Sequence, residues 1–173
     1  VDEALEKGWI KAYYQPIFRS VTGFLCAEEA LARWEDPALG VIEPKDFIPY
    51  LEEAHLLYKV DLRIVELIVR DFKTKQQAGV PLVPVSINLS RFDFEKIDMV
   101  EEIRKTLSEA GYPPSVIAVE ITEAVAGTAP TFISKQISRF HEAGFKVWMD
   151  DFGSGYSSLN VLTDFDFYLV KFD

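Results

Sequence analysis

The feature that most constrains the fold of this chain is a regular alternation of short apolar segments with longer amphipathic segments. Short runs rich in β-branched and aromatic residues predict strands, and apolar residues that recur at helical spacing predict helices. The predicted strands cover residues 12–18, 25–34, 83–90, 115–122, 145–152 and 167–173, and the predicted helices cover residues 46–54, 60–72, 98–111 and 131–144. This alternation indicates an α/β protein built from parallel βαβ units.

Two α/β architectures contain such units, an open doubly wound sheet and a closed barrel. A chain of 173 residues is long enough for one such domain with its own hydrophobic core. No glycine-rich dinucleotide-binding sequence follows the first predicted strand, and this favours the barrel over the nucleotide-binding open sheet.

The composition limits the classes of binding partner and the cellular compartment that we expect for this chain. The net charge of −10 argues against binding to duplex nucleic acid, which needs a basic surface. No apolar run approaches the roughly 20 residues that span a bilayer, so we expect no membrane contact from this segment. Cys26 is the only cysteine, and a chain without an internal disulfide fits the cytoplasm, or the cytoplasmic side of a membrane-bound protein.

Polar side chains occur at or near the ends of the predicted strands, beginning with the second strand. In a parallel barrel the carboxyl ends of the strands open onto one face, so residues distant in sequence can meet there. In order along the chain, these polar residues are Glu29, Arg33, Asn88, Ser90, Glu120, Glu123, Asp150, Asp151, Lys171 and Asp173. We therefore expect one shared site on this face, with the glycine-containing segment after Asp151 free to close over it.

Many residues at these strand ends carry oxygen atoms that can bind a metal ion. Glu29, Asn88, Glu120, Asp150 and Asp151 offer carboxylate and amide oxygens, which suit hard divalent cations such as Mg²⁺ or Mn²⁺. Carboxylates this close together would raise one another's pKa values unless a cation neutralised them. Two adjacent aspartates can serve two ions, and a pair of ions suits the hydrolysis of a phosphoester.

Two basic residues would complete the chemistry of such a site. Lys171 could orient the attacking water or neutralise charge that develops at phosphorus. Arg33 could hold a phosphate through a charge-assisted fork of hydrogen bonds.

Ordinary structural roles stay open for the same residues. A single acid at a strand end often caps the following helix. Asp151 could cap a turn through Gly153, and Arg33 could pair with Glu35 on the surface, where an ion pair stabilises little.

Six short motifs, taken in this order and spacing, resemble those of the EAL domain, the family of cyclic-di-GMP phosphodiesterases. They are YYQPI (13–17), EALARW (29–34), INLS (87–90), VEITE (119–123), DDFGSGYSSL (150–159) and VKFD (170–173). The resemblance covers essentially the whole chain. It implies a TIM-like (β/α)₈ barrel whose first strand runs antiparallel to the others, with about six of the strands present in this chain.

The resemblance also implies a reaction, the hydrolysis of cyclic-di-GMP to linear pGpG with two Mg²⁺ or Mn²⁺ ions. Carried over by motif, Glu29, Asn88, Glu120 and Asp150 would bind one ion, and Asp150 and Asp151 would bind the other. Lys171 would contact the attacking water. The residues expected to act in catalysis are Lys171, Glu29 and Asp151.

Further residues take supporting roles by the same resemblance. Arg33 would bind a substrate phosphate and Gln15 would line the pocket. Glu123 would steady the loop after Asp151, and Asp173 belongs to the same group of supporting residues. The loop 152–159 resembles a family loop that is linked to dimerisation, so a homodimer is expected.

The chain departs from the family pattern at its end. The family carries two further strands, with an EGVE-like motif and a QG pair, and neither motif is found. We therefore expect residues 1–173 to form the first two thirds or so of an EAL-type domain. Three functions stay open: a phosphodiesterase, a non-catalytic cyclic-di-GMP receptor or truncated inactive domain, and a dimerisation module.

Overall fold

The computed structural model of the chain describes residues 1–153 and 165–172, in which seven strands form one sheet. The strands are β1 (Ile10–Phe18), β2 (Leu25–Asp36), β3 (Gly40–Ile42), β4 (Val85–Asn88), β5 (Ile117–Thr122), β6 (Lys146–Phe152) and β7 (Leu169–Phe172). Their order in the sheet is β1-β2-β4-β5-β6-β7, and β3 pairs with β2 off this path. The six predicted strands are confirmed, and β3 is an additional short strand that the sequence analysis missed.

Strand direction follows the expected α/β pattern. β2, β4, β5, β6 and β7 are parallel neighbours, whereas β1 is antiparallel to β2. Within the described residues the sheet runs from β1 to β7 without closing on itself. The predicted fold, a partial TIM-like barrel with an antiparallel first strand, is therefore confirmed.

Seven α-helices connect or flank these strands within the described residues. They are α1 (Asp2–Glu6), α2 (Pro44–Glu53), α3 (Leu57–Gln77), α4 (Arg91–Lys96), α5 (Met99–Ala110), α6 (Glu123–Thr128) and α7 (Pro130–Glu142). The four predicted helices correspond to α2, α3, α5 and α7. The three shorter helices were not predicted. No helix in residues 1–153 or 165–172 is long and apolar enough to cross a membrane.

Capping side chains explain where two helices begin after the strands of the site. The Ser90 hydroxyl accepts the amide of Phe92, and the Asp93 carboxylate accepts the amide of Ser90 at 2.6 Å, so α4 begins immediately after β4. The Thr122 hydroxyl accepts the amide of Val125 at 3.3 Å, which starts α6 directly after β5. Each cap satisfies amides that would otherwise lack a partner at the helix start.

The hydrophobic core lies between the sheet and its helices, with α3 at its centre. Five residues of α3 at helical spacing are all buried, namely Val60, Ile64, Leu67, Ile68 and Phe72. They pack with residues of β1, β2 and β4 in one cluster. The opposite face of the sheet carries a smaller apolar cluster of Ala27, Ala118 and Trp148.

Candidate metal centre

The register of the parallel strands brings the predicted ligands side by side. Asn88 is the last residue of β4 and pairs directly with Glu120 of β5. Asp150 of β6 pairs with Thr122 at the end of β5. Glu29 of β2 pairs with Ser86, two residues before Asn88 and on the same face of the sheet. The polar side chains therefore meet near the carboxyl ends of β4, β5 and β6.

Lys171 of β7 lies at the centre of the carboxylates. Its Nζ donates hydrogen bonds to Glu29 Oε2 and to Glu120 Oε2, both at 2.7 Å, and lies 3.3 Å from Asp150 Oδ1. The amide nitrogen of Asn88 donates to Glu29 Oε1 at 2.9 Å. Five of the predicted site residues thus form one connected cluster, which we call the acidic cluster.

The buried carboxylate of Glu120 needs a nearby positive charge to remain ionised. Glu120 is only 1% exposed, and its Oε1 is buried with no hydrogen-bond partner among the described residues. Burial raises the pKa of Glu120 more than the nearby Lys171 and Ser86 side chains lower it. Burial disfavours the charged form of Lys171, but its hydrogen bonds to Glu120 and Glu29 outweigh this and raise its pKa. The lysine and the carboxylates therefore stabilise each other in their charged forms.

The donor set fits a hard divalent cation. One carboxylate oxygen from each of Glu29, Glu120 and Asp150 lies within 4.8 Å of the other two. Oxygens bound at about 2.1 Å on opposite sides of Mg²⁺ are about 4.2 Å apart, so only small movements would bring the three onto one ion. The unpartnered Glu120 Oε1 offers a further buried acceptor.

A β-bulge lies at the two adjacent aspartates. Met149 pairs with Val170 and Phe152 pairs with Phe172, so two residues of β6 face the single residue Lys171 of β7. Asp151 has a left-handed backbone with φ of 55°, as expected for a bulge that changes the direction of side chains. Asp151 is exposed and lies outside the group of three carboxylates, so its role as a ligand of the second ion stays a prediction.

Glu123 connects the end of β5 with the residues after β6. It is 1% exposed, and its Oε2 accepts the amide of Gly153 at 2.9 Å. This bond lies at the beginning of the predicted loop 152–159. Residues 154–159 of that loop and Asp173 lie outside the described residues.

The two predicted substrate-binding residues share a face with Glu29. Gln15 pairs directly with Glu29, and Arg33 lies four positions further along β2. Residues at even spacing in a strand point to the same side, so Gln15, Glu29 and Arg33 line one surface. The Arg33 guanidinium lies 5.7 Å from the centre of the Tyr13 ring and donates to the carbonyl of Ala32 at 2.9 Å.

The whole chain is similar to one known protein family. A family model described as the EAL domain matches residues 1–173. The chain belongs to the EAL domain family. The resemblance drawn from the six sequence motifs is therefore confirmed.

Relatives and solved structures agree with this assignment. The chain is 36% identical over 171 residues to the uncharacterized protein sll1895 of Synechocystis sp., covering 99% of this chain and 25% of that protein. It is 34% identical over 173 residues to the cyclic di-GMP phosphodiesterase RocR of Pseudomonas aeruginosa, covering 100% of this chain and 44% of that protein. The structure of the PaMucR phosphodiesterase in complex with c-di-GMP matches with a TM-score of 0.90 and 28% identity, covering 99% of this chain and 70% of that chain. This EAL domain thus spans less than half the length of these two curated relatives.

A pocket of about 250 Å³ lies between the sheet and the helices of this EAL domain. It shares Asn88 with the cluster, and its walls come from β2, β4, α2 and α3. The residues that line it are Ala30, Leu31, Ala32, Pro44, Ile48, Asp61, Ile64, Ile87 and Asn88. The sequence analysis missed this pocket, because no local pattern shows that α2 and α3 leave a space against β2.

Asp61 is the acidic residue in the wall of this pocket. Its side chain is partly exposed, but its Oδ2 is buried without a hydrogen-bond partner among the described residues. Burial raises the pKa of Asp61 well above its ordinary value, and the neighbouring carboxyl groups of Asp93 and Glu52 raise it further. Burial also raises the pKa of Asp93 to about 6. We therefore expect the Asp61–Asp93 pair to keep a proton at pH values at which isolated aspartates have lost theirs.

Replacing Asp61 by asparagine is expected to stabilise the protein at alkaline pH. The folded protein retains a proton that the unfolded chain releases above about pH 4, so its free energy of unfolding falls as the pH rises above that value. The Asp61→Asn variant lacks this group and can still donate a hydrogen bond. Urea unfolding should show similar stabilities at pH 4 and a more stable variant at pH 8.

A matched control is available on the neighbouring helix. Glu53 is exposed in α2, so Glu53→Gln should leave the pH profile of stability unchanged. Parallel profiles for Asp61→Asn and the unaltered protein would contradict the assignment of a retained proton to Asp61.

Proposed function

We propose that this EAL domain hydrolyses one phosphodiester bond of cyclic-di-GMP to give linear pGpG, assisted by two Mg²⁺ or Mn²⁺ ions. The observation that carries the proposal is the convergence of Glu29, Glu120 and Asp150 on one centre beside Asn88 and Lys171. The choice of substrate is supported by the relative RocR, which is named a cyclic di-GMP phosphodiesterase, and by the c-di-GMP complex of PaMucR.

The ligands of the two metal ions would come from several strands. Glu29, Asn88, Glu120 and Asp150 would hold the first ion, and Asp150 and Asp151 would hold the second. When bound, the ions supply the positive charge that stabilises both the attacking and the leaving oxygen at phosphorus. Neutralising these carboxylates also removes the repulsion that they would exert on a substrate phosphate.

Lys171 and Arg33 act on the reacting phosphate. The water oxygen forms a bond to phosphorus while the bond from phosphorus to the 3′ oxygen breaks. One proton of the water passes by way of solvent to the leaving 3′ oxygen, so the product carries a 5′-phosphate and a 3′-hydroxyl. The Lys171 ammonium would orient the attacking water by a hydrogen bond. Arg33, on the same face as Glu29, would bind a non-bridging phosphate oxygen.

Gln15 would line the pocket for the rest of the substrate. It lies directly opposite Glu29 on the antiparallel strand and on the same face of the sheet. The predicted homodimer and the predicted cytoplasmic location stay predictions.

The test is direct measurement of product. The protein is incubated with cyclic-di-GMP and either Mn²⁺ or Mg²⁺, and nucleotides are separated by chromatography. We expect a pGpG peak that disappears when EDTA removes the metal ions. Binding of labelled cyclic-di-GMP without pGpG would favour a receptor instead, and absence of both binding and product would exclude both functions.

A further inference from the structure

The position of Lys171 has a consequence for how metal ions enter the acidic cluster. Its Nζ lies 2.7 Å from Glu29 Oε2, 2.7 Å from Glu120 Oε2 and 3.3 Å from Asp150 Oδ1. These three residues are the ones whose oxygens lie close enough together to hold one ion. The ammonium group therefore lies at the centre that the first ion would need.

We propose that Lys171 is a tethered counter-ion that competes with the first divalent metal ion for these carboxylate oxygens, so that the metal binds only as the ammonium leaves them. The inference rests on the proposed metal-dependent function, and it adds a step of exchange before catalysis. Lys171 would then have two successive positions, one on the carboxylates and one beside the reacting phosphate.

Distance makes simultaneous binding impossible. A hard divalent ion binds carboxylate oxygens at about 2.1 Å, whereas the Lys171 ammonium donates hydrogen bonds to oxygens of the same carboxylates at 2.7 Å. Two cations beside the same three carboxylates would also repel each other strongly at such short range. The ammonium of Lys171 must therefore move off the carboxylates when the ion binds. It stays attached to β7 through its side chain.

The second oxygens of Glu29 and Glu120 do not replace the ones that Lys171 holds. The other oxygen of Glu29, Oε1, already accepts a hydrogen bond from the Asn88 amide at 2.9 Å. Glu120 Oε1 is buried without a partner and can serve the ion, but it is a single ligand. The ion therefore needs oxygens that Lys171 holds.

Lysine chemistry and strand geometry allow the exchange. A lysine carries its charge on a flexible four-carbon stem, so the ammonium can swing away while the backbone of β7 stays in place. The bulge of β6 opposite Lys171 interrupts the regular pairing at this position. The neutralising charge is thus present before the metal arrives, and it can be released without unfolding the strand.

The decisive experiment measures metal affinity without any nucleotide. Lys171→Met keeps the apolar stem and removes the charge. The apparent affinity for an ion is proportional to the fraction of molecules in which the site is accessible. Loss of the competing ammonium should therefore tighten Mn²⁺ binding about tenfold or more. Isothermal titration calorimetry, or electron paramagnetic resonance of free Mn²⁺, measures the dissociation constant directly.

Thermal unfolding provides a second signature. Without metal, Lys171→Met should melt at a lower temperature than the unaltered protein, because the carboxylates lose their counter-ion. The increase in melting temperature on adding Mn²⁺ should be larger in the variant. Lys75→Met is the matched control, since Lys75 pairs with Glu28, and it should leave Mn²⁺ affinity unchanged.

The unaltered protein offers an independent measurement if the variant does not fold. The side-chain ¹⁵N resonance of Lys171 should shift when diamagnetic Mg²⁺ is added, as the ammonium leaves its carboxylate partners. Unchanged or weaker Mn²⁺ binding in Lys171→Met, or no resonance shift at saturating Mg²⁺, would overturn the inference. If pGpG forms but affinity is unchanged, only the exchange is wrong, whereas tighter binding without any pGpG leaves the exchange intact and contradicts the proposed function.

Discussion

Replacement of Glu29 by glutamine is expected to reduce the rate of pGpG formation by more than about 100-fold, since even residues that only support a metal ligand contribute about 10- to 100-fold. Glutamine has the same shape, but it offers one neutral oxygen in place of a carboxylate. Mn²⁺ affinity, measured without nucleotide, should fall together with the rate.

The structure indicates that this loss would come from chemistry rather than from misfolding. Glu29 accepts hydrogen bonds from Asn88 at 2.9 Å and from Lys171 at 2.7 Å. A glutamine at this position can still accept one of these bonds. Circular dichroism and thermal unfolding should therefore report a folded protein with a modest change in stability.

Glu28 provides a control one residue away. It occupies the same strand but faces α3, where it forms an ion pair with Lys75. Glu28→Gln removes a charge of the same sign at nearly the same place in the sequence, yet it should leave turnover and Mn²⁺ affinity close to those of the unaltered protein. Equal losses in both variants would show that the effect of Glu29 is not specific to the acidic cluster.

The regular part of the fold follows from sequence periodicity alone. The five apolar residues of α3 recur at helical spacing and all prove buried, because a helix with one apolar stripe has only one way to face the sheet. The elements that escaped prediction are short. β3 has three residues, and α1, α4 and α6 have five or six, which is too few to show a period.

The acidic cluster was also predictable in outline. Glu29, Glu120, Asp150 and Lys171 come from four separate strands, and they meet because the carboxyl ends of parallel strands lie at one edge of a sheet. Their detailed arrangement was not predictable. The central position of Lys171 depends on side-chain packing, and the bulge at Asp151 depends on the register of β6 and β7.

The pocket between β2, α2 and α3 shows the limit of sequence reasoning most clearly. Asp61 lies near the start of the pattern that predicts α3, where a single polar residue carries no special signal. Its pKa is raised first by burial and then by Asp93 and Glu52, which belong to two other helices. Only the tertiary packing of α2, α3 and α4 brings these carboxyl groups together.

The largest effect on stability is expected from Phe72, the buried aromatic residue near the end of α3. It is 1% exposed, and its ring centre lies 5.4 Å from that of Tyr112. Phe72→Ala should lower the free energy of unfolding by about 3–5 kcal/mol, the usual cost of the lost contacts and the cavity. Urea unfolding measures the change, and Phe72→Leu, which leaves a smaller cavity, should lose less.

A loss of this size matters because α3 supports the strands that carry the acidic cluster. Most small domains have only about 5–15 kcal/mol of stability in total, so Phe72→Ala should also reduce the folded fraction available for metal binding at elevated temperature. Lys73, the next residue, is exposed, and Lys73→Ala should change stability by less than about 0.5 kcal/mol. If Phe72→Ala and Lys73→Ala proved equally mild, α3 would not be the main support of the sheet, and the buried stripe of α3 would need another explanation.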